Sequence, residues 1–222
     1  MRYAIFHALM RLKRPFSSAA RKRRMRQFID RMGITGGERI IDLGGAPGFW
    51  DDCPLALDIT IVNLPGFNPE TAPPSHHALH LRVGDACNVD FAGDMSFDIA
   101  FSNSVIEHVG DATKQAEMAR EVRRLAPAYW VQTPSIWFPV EAHNHMPFWW
   151  FYPAPLKRVF IRRWRAKLPA WTEMVETTTV LLRSQLQRLF PDGTIWTERK
   201  FGLPKSYVVY KRGERAEREE RR

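Results

Sequence analysis

The chain has 222 residues and a mass of 25.8 kDa, with 45% hydrophobic and 26% charged residues; this composition suits one globular domain and excludes a disordered or fibrous chain. Two cysteines exclude a disulfide framework and give no structural-zinc spacing, so reduced thiols and a cytoplasmic location are expected. Lys plus Arg outnumber Asp plus Glu by 33 to 24, for a net charge of +9, which admits nucleic acid, anionic lipid or an anionic substrate without choosing among them.

Residues 1–35 form a basic N-terminal segment. Pro15 and Ser17-Ser18 interrupt it, and Ser18 can cap a helix that ends at Gly33 with Ala20, Met25, Phe28, Ile29 and Met32 as its apolar stripe. Its bland reading is a solvated helix docked by that stripe; its sharper one is contact with an anionic membrane surface or another polyanion. The first ten residues lack the apolar core and cleavage site of a signal peptide. No apolar run reaches the roughly 18–20 residues of a membrane span.

Residues 36–212 read as the main domain. Strands are expected at Arg39–Leu43, Asp58–Leu64, Leu79–Val83, Phe97–Ser102 and Tyr129–Gln132, with a helix at Asp111–Leu125 between the last two. Alternation of strands and helices points to a parallel α/β sheet. The first half is short: only a very short helix fits between the first two strands, and Pro65–Pro74 is a loop by composition. Residues 133–165 open with a Pro- and aromatic-rich stretch, an insertion or lid. Helices are expected at Leu156–Arg165 and Thr178–Phe190, then a hairpin of Ile195–Lys200 and Ser206–Tyr210. Residues 213–222 are a charged tail.

The chemistry concentrates at strand ends. Ile40 to Gly48 reads Ile-Ile-Asp-Leu-Gly-Gly-Ala-Pro-Gly, an apolar strand, an acid (Asp42) and a glycine-rich turn. Asn63 ends the second strand, Asp85-Ala86 follows the third, and Asn103-Ser104 with Glu107-His108 follows the fourth. Ligands of open α/β sheets bind outside these carboxyl ends. The turn is not GxGxxG, so the dinucleotide fingerprint is not met. His108, His143 and His145 are proton acceptors by type. Glu141-x-His143-x-His145 has metal-like spacing, but no further ligand cluster supports it, so no metal is expected.

Taken together, residues 38–134 resemble the class I S-adenosylmethionine-dependent methyltransferases of the small-molecule type, the group represented by methyltransferase domain 11. The resemblance implies a Rossmann-like α/β sheet, mostly parallel with an antiparallel C-terminal strand, helices on both faces and a shortened first half. It implies S-adenosyl-L-methionine as cofactor, with Gly44, Gly45 and Gly48 around its methionine part and Asp42 beneath. Asn63 takes the place of the usual ribose-binding acid, Asp85 matches the acid on the adenine amino group with the Ala86 amide beside it, and Asn103 and Ser104 line the sulfonium. The acceptor is then a small molecule or a lipid-linked group. His108 and His143 are the catalytic candidates; Glu107, His145 and Trp149 are the acceptor-side ones. The turn through Trp50 is also similar to that of RNA 2′-O-methyltransferases, but Asn103 and Gln132 stand where that family has an aspartate and a lysine. Nucleic acid is therefore disfavoured. A binding module without catalysis is the third reading.

Overall fold

The computed structural model describes residues 21–67 and 74–213. Part of the basic N-terminal segment, including Ser18, and most of the charged tail lie outside them. One seven-stranded sheet organises the chain, with strands β1 (Arg39–Leu43), β2 (Asp58–Asn63), β3 (Ala78–Val83), β4 (Ile99–Asn103), β5 (Ala128–Pro134), β6 (Thr194–Lys200) and β7 (Leu203–Lys211). Their spatial order is β3-β2-β1-β4-β5-β7-β6. The first five pair in parallel, and β7 runs antiparallel to both β5 and β6. This is the Rossmann-like arrangement expected from the sequence.

Burial explains which strand sits where. All seven residues of β5 and four of the five in β1 and β4 are buried, as required of strands covered on both faces. In β3, which has no buried residue, the pattern is that of an edge. The β6–β7 hairpin turns at Phe201 and Gly202, both with positive φ (53° and 78°), the conformation that matches the twist of a two-residue hairpin.

Two apolar layers cover the sheet. On one face lies a helix, α1, running through residues 21–32 and ending at Gly33 with φ 66°. Its Met25, Phe28 and Met32 are buried with Trp50, Phe101 and Trp130. Phe28 meets Trp50, Phe101 and Trp130 edge-on, with ring centroids 5.9, 5.1 and 5.5 Å away. The four-residue helix α2 (Pro47–Trp50) supplies Trp50 to the same layer. Opposite, α3 (Ala112–Leu125) buries Met118, Ala119, Val122 and Leu125. Asp111 caps α3 by accepting from the amides of Thr113 and Lys114, the usual service to orphan amides at a helix start.

The C-terminal half departs from expectation in one place. Helix α4 (Ala154–Arg165) is close to its expected span, but Thr178–Phe190 is not one helix. It is replaced by α5 (Pro169–Thr177), an extended stretch and α6 (Arg183–Leu189). Two bonds explain the break. The Thr178 hydroxyl donates to the Met174 carbonyl at 2.7 Å and the Thr179 amide donates to the Glu107 carbonyl at 2.7 Å, so the β-branched Thr178-Thr179-Val180 run is drawn out of helical geometry. Gln185 then accepts from the Leu182 amide and starts α6. Among the described residues, no helix is long and apolar enough to cross a membrane.

Candidate active site at the carboxyl edge of the sheet

The glycine turn leaves β1 between two obstacles. Gly44 has φ 79°, and a Cβ there would lie 2.6 Å from Val105 Cγ2. At Gly45 a Cβ would lie 1.7 Å from Asp42 Oδ2. Backbone freedom and close approach therefore both demand glycine, and the neighbours demanding it are parts of the protein. Gly48 is different: the nearest atom to its Cβ would be 3.7 Å away, so nothing in the fold forbids a side chain there.

Asp42 supports this turn from below. Its carboxylate is buried, its Oδ2 accepts from the Trp50 indole at 2.8 Å, and its Oδ1 has no partner. Burial, only partly offset by the Trp50 bond, raises its pKa from 3.8 to about 7. Asn63 closes the turn from the side by donating from Nδ2 to the Gly45 carbonyl at 2.8 Å. Further along the edge, the exposed Asp85 accepts from the Cys87 amide through Oδ1 at 2.9 Å, while Ala86 rests against the core.

On the other side of β1, Asn103 and Gln132 are register partners at the ends of β4 and β5. Arg24 of α1 donates to Asn103 Oδ1 at 3.0 Å and also pairs with the buried Glu198. Ser104, at φ 59°, donates to Gln132 Oε1 at 2.7 Å. The contribution of Arg24 was hidden in the sequence, because a basic run gives no sign of which arginine turns inward.

Four separate segments meet just beyond Ser104. Glu107 is fully buried, accepts from the Thr133 hydroxyl through Oε2 at 2.9 Å, and has no partner at Oε1. Burial, against the opposing effects of its own backbone amide and Thr133, raises its pKa to about 7. His108 and His143 face one another through their Nε2 atoms at 3.0 Å. Behind them, Thr178 Oγ1 stands 3.2 Å from His108 Nδ1, and Glu141 Oε1 stands 2.7 Å from His143 Nδ1. Burial, with His143 adjacent, lowers the His108 pKa to about 4. His143 would also be lowered by burial, but Glu141 outweighs that and raises it. Glu141 itself stays below the ordinary range, since its bonds to His143 and to the amides of His143 and Asn144 outweigh its burial. Ligand atoms of Glu107, His108 and His143 all lie within 4.8 Å of one another.

The remaining candidates sit apart. His145, at φ 58°, is on the exposed side of its loop. Trp149 is only 4% exposed and packs with Tyr152, Phe160 and Trp164, where it joins the aromatic segment to α4. Thr133 and Thr178 were not singled out in the sequence; a threonine after a strand or a helix carries no distinctive signal.

Residues 56–127 match a family model described as a methyltransferase domain. Over that stretch, about a third of the chain, it is similar to that family. Among solved structures, the Haemonchus contortus phosphoethanolamine N-methyltransferase 2 in complex with S-adenosyl-L-methionine is similar at 15% identity and a TM-score of 0.53, over 79% of this chain and 38% of that one. The same enzyme with phosphomonomethylethanolamine and S-adenosylhomocysteine gives 14% and 0.52, with the same coverage. This chain thus spans about two fifths of the length of the Haemonchus protein. The Haloferax volcanii complex of the Trm112 methyltransferase activator with a candidate methyltransferase gives 14% identity and 0.52, over 84% of this chain and 92% of that one. At such identities the shared property is the fold. No curated protein sequence matches the chain.

Proposed function

We propose that the chain transfers a methyl group from S-adenosyl-L-methionine to a small-molecule or lipid-linked acceptor. The observation that carries this is the composition of the carboxyl edge. The Gly44–Gly45 turn, Asn63, Asp85 and Asn103 stand at the ends of β1, β2, β3 and β4, which are neighbours in the sheet. A ligand laid across this edge meets backbone amides at the turn and an exposed carboxylate at Asp85.

The residues fit the cofactor in these roles. Gly44, Gly45 and Gly48 bring bare backbone to its methionine part; Asp42 holds the turn from beneath. Asn63 borders the ribose, Asp85 and the Ala86 amide take the adenine, and Asn103 with Ser104 faces the sulfonium side. The cofactor supplies a methyl group made electrophilic by a sulfonium. Positioning an acceptor in line with it and excluding water can lower the barrier by about 7–11 kcal/mol.

His108 and His143 are the groups proposed to meet the acceptor, with Glu107 beneath them. Burial keeps His108 neutral near pH 7, and the Glu141-backed His143 is the ring that can hold or accept a proton there. Trp149 acts in this reading by packing the aromatic segment rather than by walling a pocket, and His145 borders the opening.

For contact with an anionic membrane, expected of the basic N-terminal segment, α4 offers a second candidate. This helix has no buried residue, ends in Arg162, Arg163 and Arg165, and exposes Leu156 and Val159; exposed Phe148, Phe151 and Leu168 flank it. Basic and apolar groups combined on an exposed helix suit an anionic lipid interface. Arg165 pairs with Glu176, as Arg23 and Arg24 of α1 pair with Glu198.

The test uses methyl-labelled S-adenosyl-L-methionine with an aqueous metabolite extract and with a lipid extract. Label transferred to water-soluble product supports a small-molecule acceptor, and label in the organic phase a lipid-linked one. Transfer to neither, by a folded protein that fails to bind the cofactor, overturns the proposal.

A further inference from the structure

We infer that Glu107, His108 and His143 form a binding site for one divalent transition-metal ion of the zinc type. The inference rests on hydrogen-bond accounting at the two imidazoles and stands independently of methyl transfer.

The tautomers follow from the partners. Thr178 has one hydroxyl proton, and the carbonyl of Met174, 2.7 Å away, can only accept it. Toward His108 Nδ1, 3.2 Å away, the Thr178 oxygen must therefore accept, so that Nδ1 carries the proton of neutral His108. Likewise, the Glu141 carboxylate 2.7 Å from His143 Nδ1 can only accept, which places a proton on that nitrogen too. In both neutral rings the lone pair is then on Nε2. Yet these two Nε2 atoms face each other at 3.0 Å, an arrangement that needs either a proton shared between them or a metal ion that takes both lone pairs.

Glu107 supplies the second, independent observation. Its carboxyl is fully buried, and Oε1, the oxygen not bonded to Thr133, has no partner. A buried, unpartnered acceptor is costly. The Glu107 carboxylate completes a set of three donor groups, two imidazoles and one carboxylate, whose ligand atoms lie within 4.8 Å of one another. Metal–ligand lengths of about 2.0–2.2 Å place tetrahedral ligand atoms roughly 3.4 Å apart, so the imidazoles, 3.0 Å apart, are already close to that spacing. Imidazole and carboxylate donors suit zinc and its neighbours more than magnesium or calcium.

The surroundings are those of a metal centre. Glu141 on His143 and Thr178 on His108 orient the rings from outside, the support that ligating histidines usually receive. Three protein ligands leave a fourth position open. Val105, on the same short loop as Glu107 and His108, touches Gly44 of the glycine turn, which sets the open position beside the edge proposed to hold the cofactor. That an acceptor oxygen occupies it is a role that rests on the methyl-transfer reading; binding of the ion does not.

The test takes the full chain stripped with chelator, checked for fold by circular dichroism, and titrated with Zn²⁺ and with Co²⁺ without S-adenosylmethionine. The expected result is one ion per chain, Co²⁺ absorption of a four-coordinate site, and loss of at least 100-fold in affinity in His108→Ala and His143→Ala. Glu141→Gln, which keeps all three ligands, should lose about 10–100-fold. Should a histidine variant fail to fold, X-ray absorption on the Zn²⁺-loaded wild type decides, with two imidazoles and a carboxylate oxygen expected. A folded wild type that takes up neither ion, uptake unchanged in both histidine variants, or a proton shared between the Nε2 atoms that persists at saturating Zn²⁺ would each overturn the inference. Metal uptake with no cofactor binding would remove the proposed function and leave this site standing.

Discussion

Gly45→Ala is the substitution that most directly probes how the turn is built. The new Cβ would fall 1.7 Å from Asp42 Oδ2 and 2.1 Å from Asp42 Cγ. The carboxylate cannot simply swing away, because it is buried and tied to the Trp50 indole at 2.8 Å, and Trp50 is itself among the largest fully buried side chains. Breaking that bond leaves buried polar groups unpaired, at about 1–3 kcal/mol. Forcing a methyl group into filled space adds about 1–3 kcal/mol. The expected loss is therefore about 2–6 kcal/mol, a large part of a typical stability of about 5–15 kcal/mol. Urea unfolding followed by tryptophan fluorescence would show it as a drop in midpoint of roughly 1 M or more at slopes of about 1–3 kcal/mol per M. Gly48→Ala is the internal control: its nearest contact would be 3.7 Å and its position is helical, so it should be neutral or stabilising by up to about 1 kcal/mol. The reasoning is refuted if the two variants differ by less than about 0.5 kcal/mol.

Three further outcomes follow from the same geometry. Because burial raises the Asp42 pKa from 3.8 to about 7, the fold takes up a proton there in that range. Wild-type stability should thus fall from about pH 4 to about pH 7 relative to Asp42→Asn and run parallel above it; urea midpoints across that range check the sign, and a relative rise would contradict it. In metal-free protein, His143 should titrate above 6.5, and Glu141→Gln should lower its midpoint; NMR of the ring protons reads both, and an unmoved midpoint removes Glu141 as the cause. Trp149→Ala should cost about 3–5 kcal/mol through lost packing with Tyr152, Phe160 and Trp164, while binding of S-adenosylhomocysteine under folding conditions stays within threefold. Weaker acceptor methylation without lost stability or cofactor binding would return Trp149 to the acceptor side.

The parallel core was legible because its strands are buried on both faces and read as short apolar runs, as in Ile40–Leu43 and Ile99–Phe101. The glycine turn and the polar strand ends were legible for the same local reason. What escaped was set by contacts between distant segments. Thr178–Phe190 carries enough leucine for a single helix, yet the Thr179 amide is claimed by Glu107, 72 positions earlier in the chain. Likewise, Glu141-x-His143-x-His145 has no further ligand cluster beside it in the sequence. The fold keeps His143, turns His145 outward and recruits Glu107 and His108 instead. The basic run near the N-terminus read as one charged face, whereas Arg24 turns inward to Asn103 and Glu198. Side-chain direction across segments depends on tertiary packing, which no local pattern encodes.

The central claim is that the carboxyl edge of this sheet binds S-adenosyl-L-methionine. Calorimetric titration of the folded chain with S-adenosyl-L-methionine and S-adenosylhomocysteine, repeated on Asp85→Ala, tests it most directly. One-to-one binding is expected, weakened at least tenfold in the variant, as suits the loss of a charge-assisted hydrogen bond of about 1.5–3 kcal/mol. Heat-silent, saturation-free titrations of a well-folded wild type with both ligands, matched by no protection in a thermal shift, would contradict it.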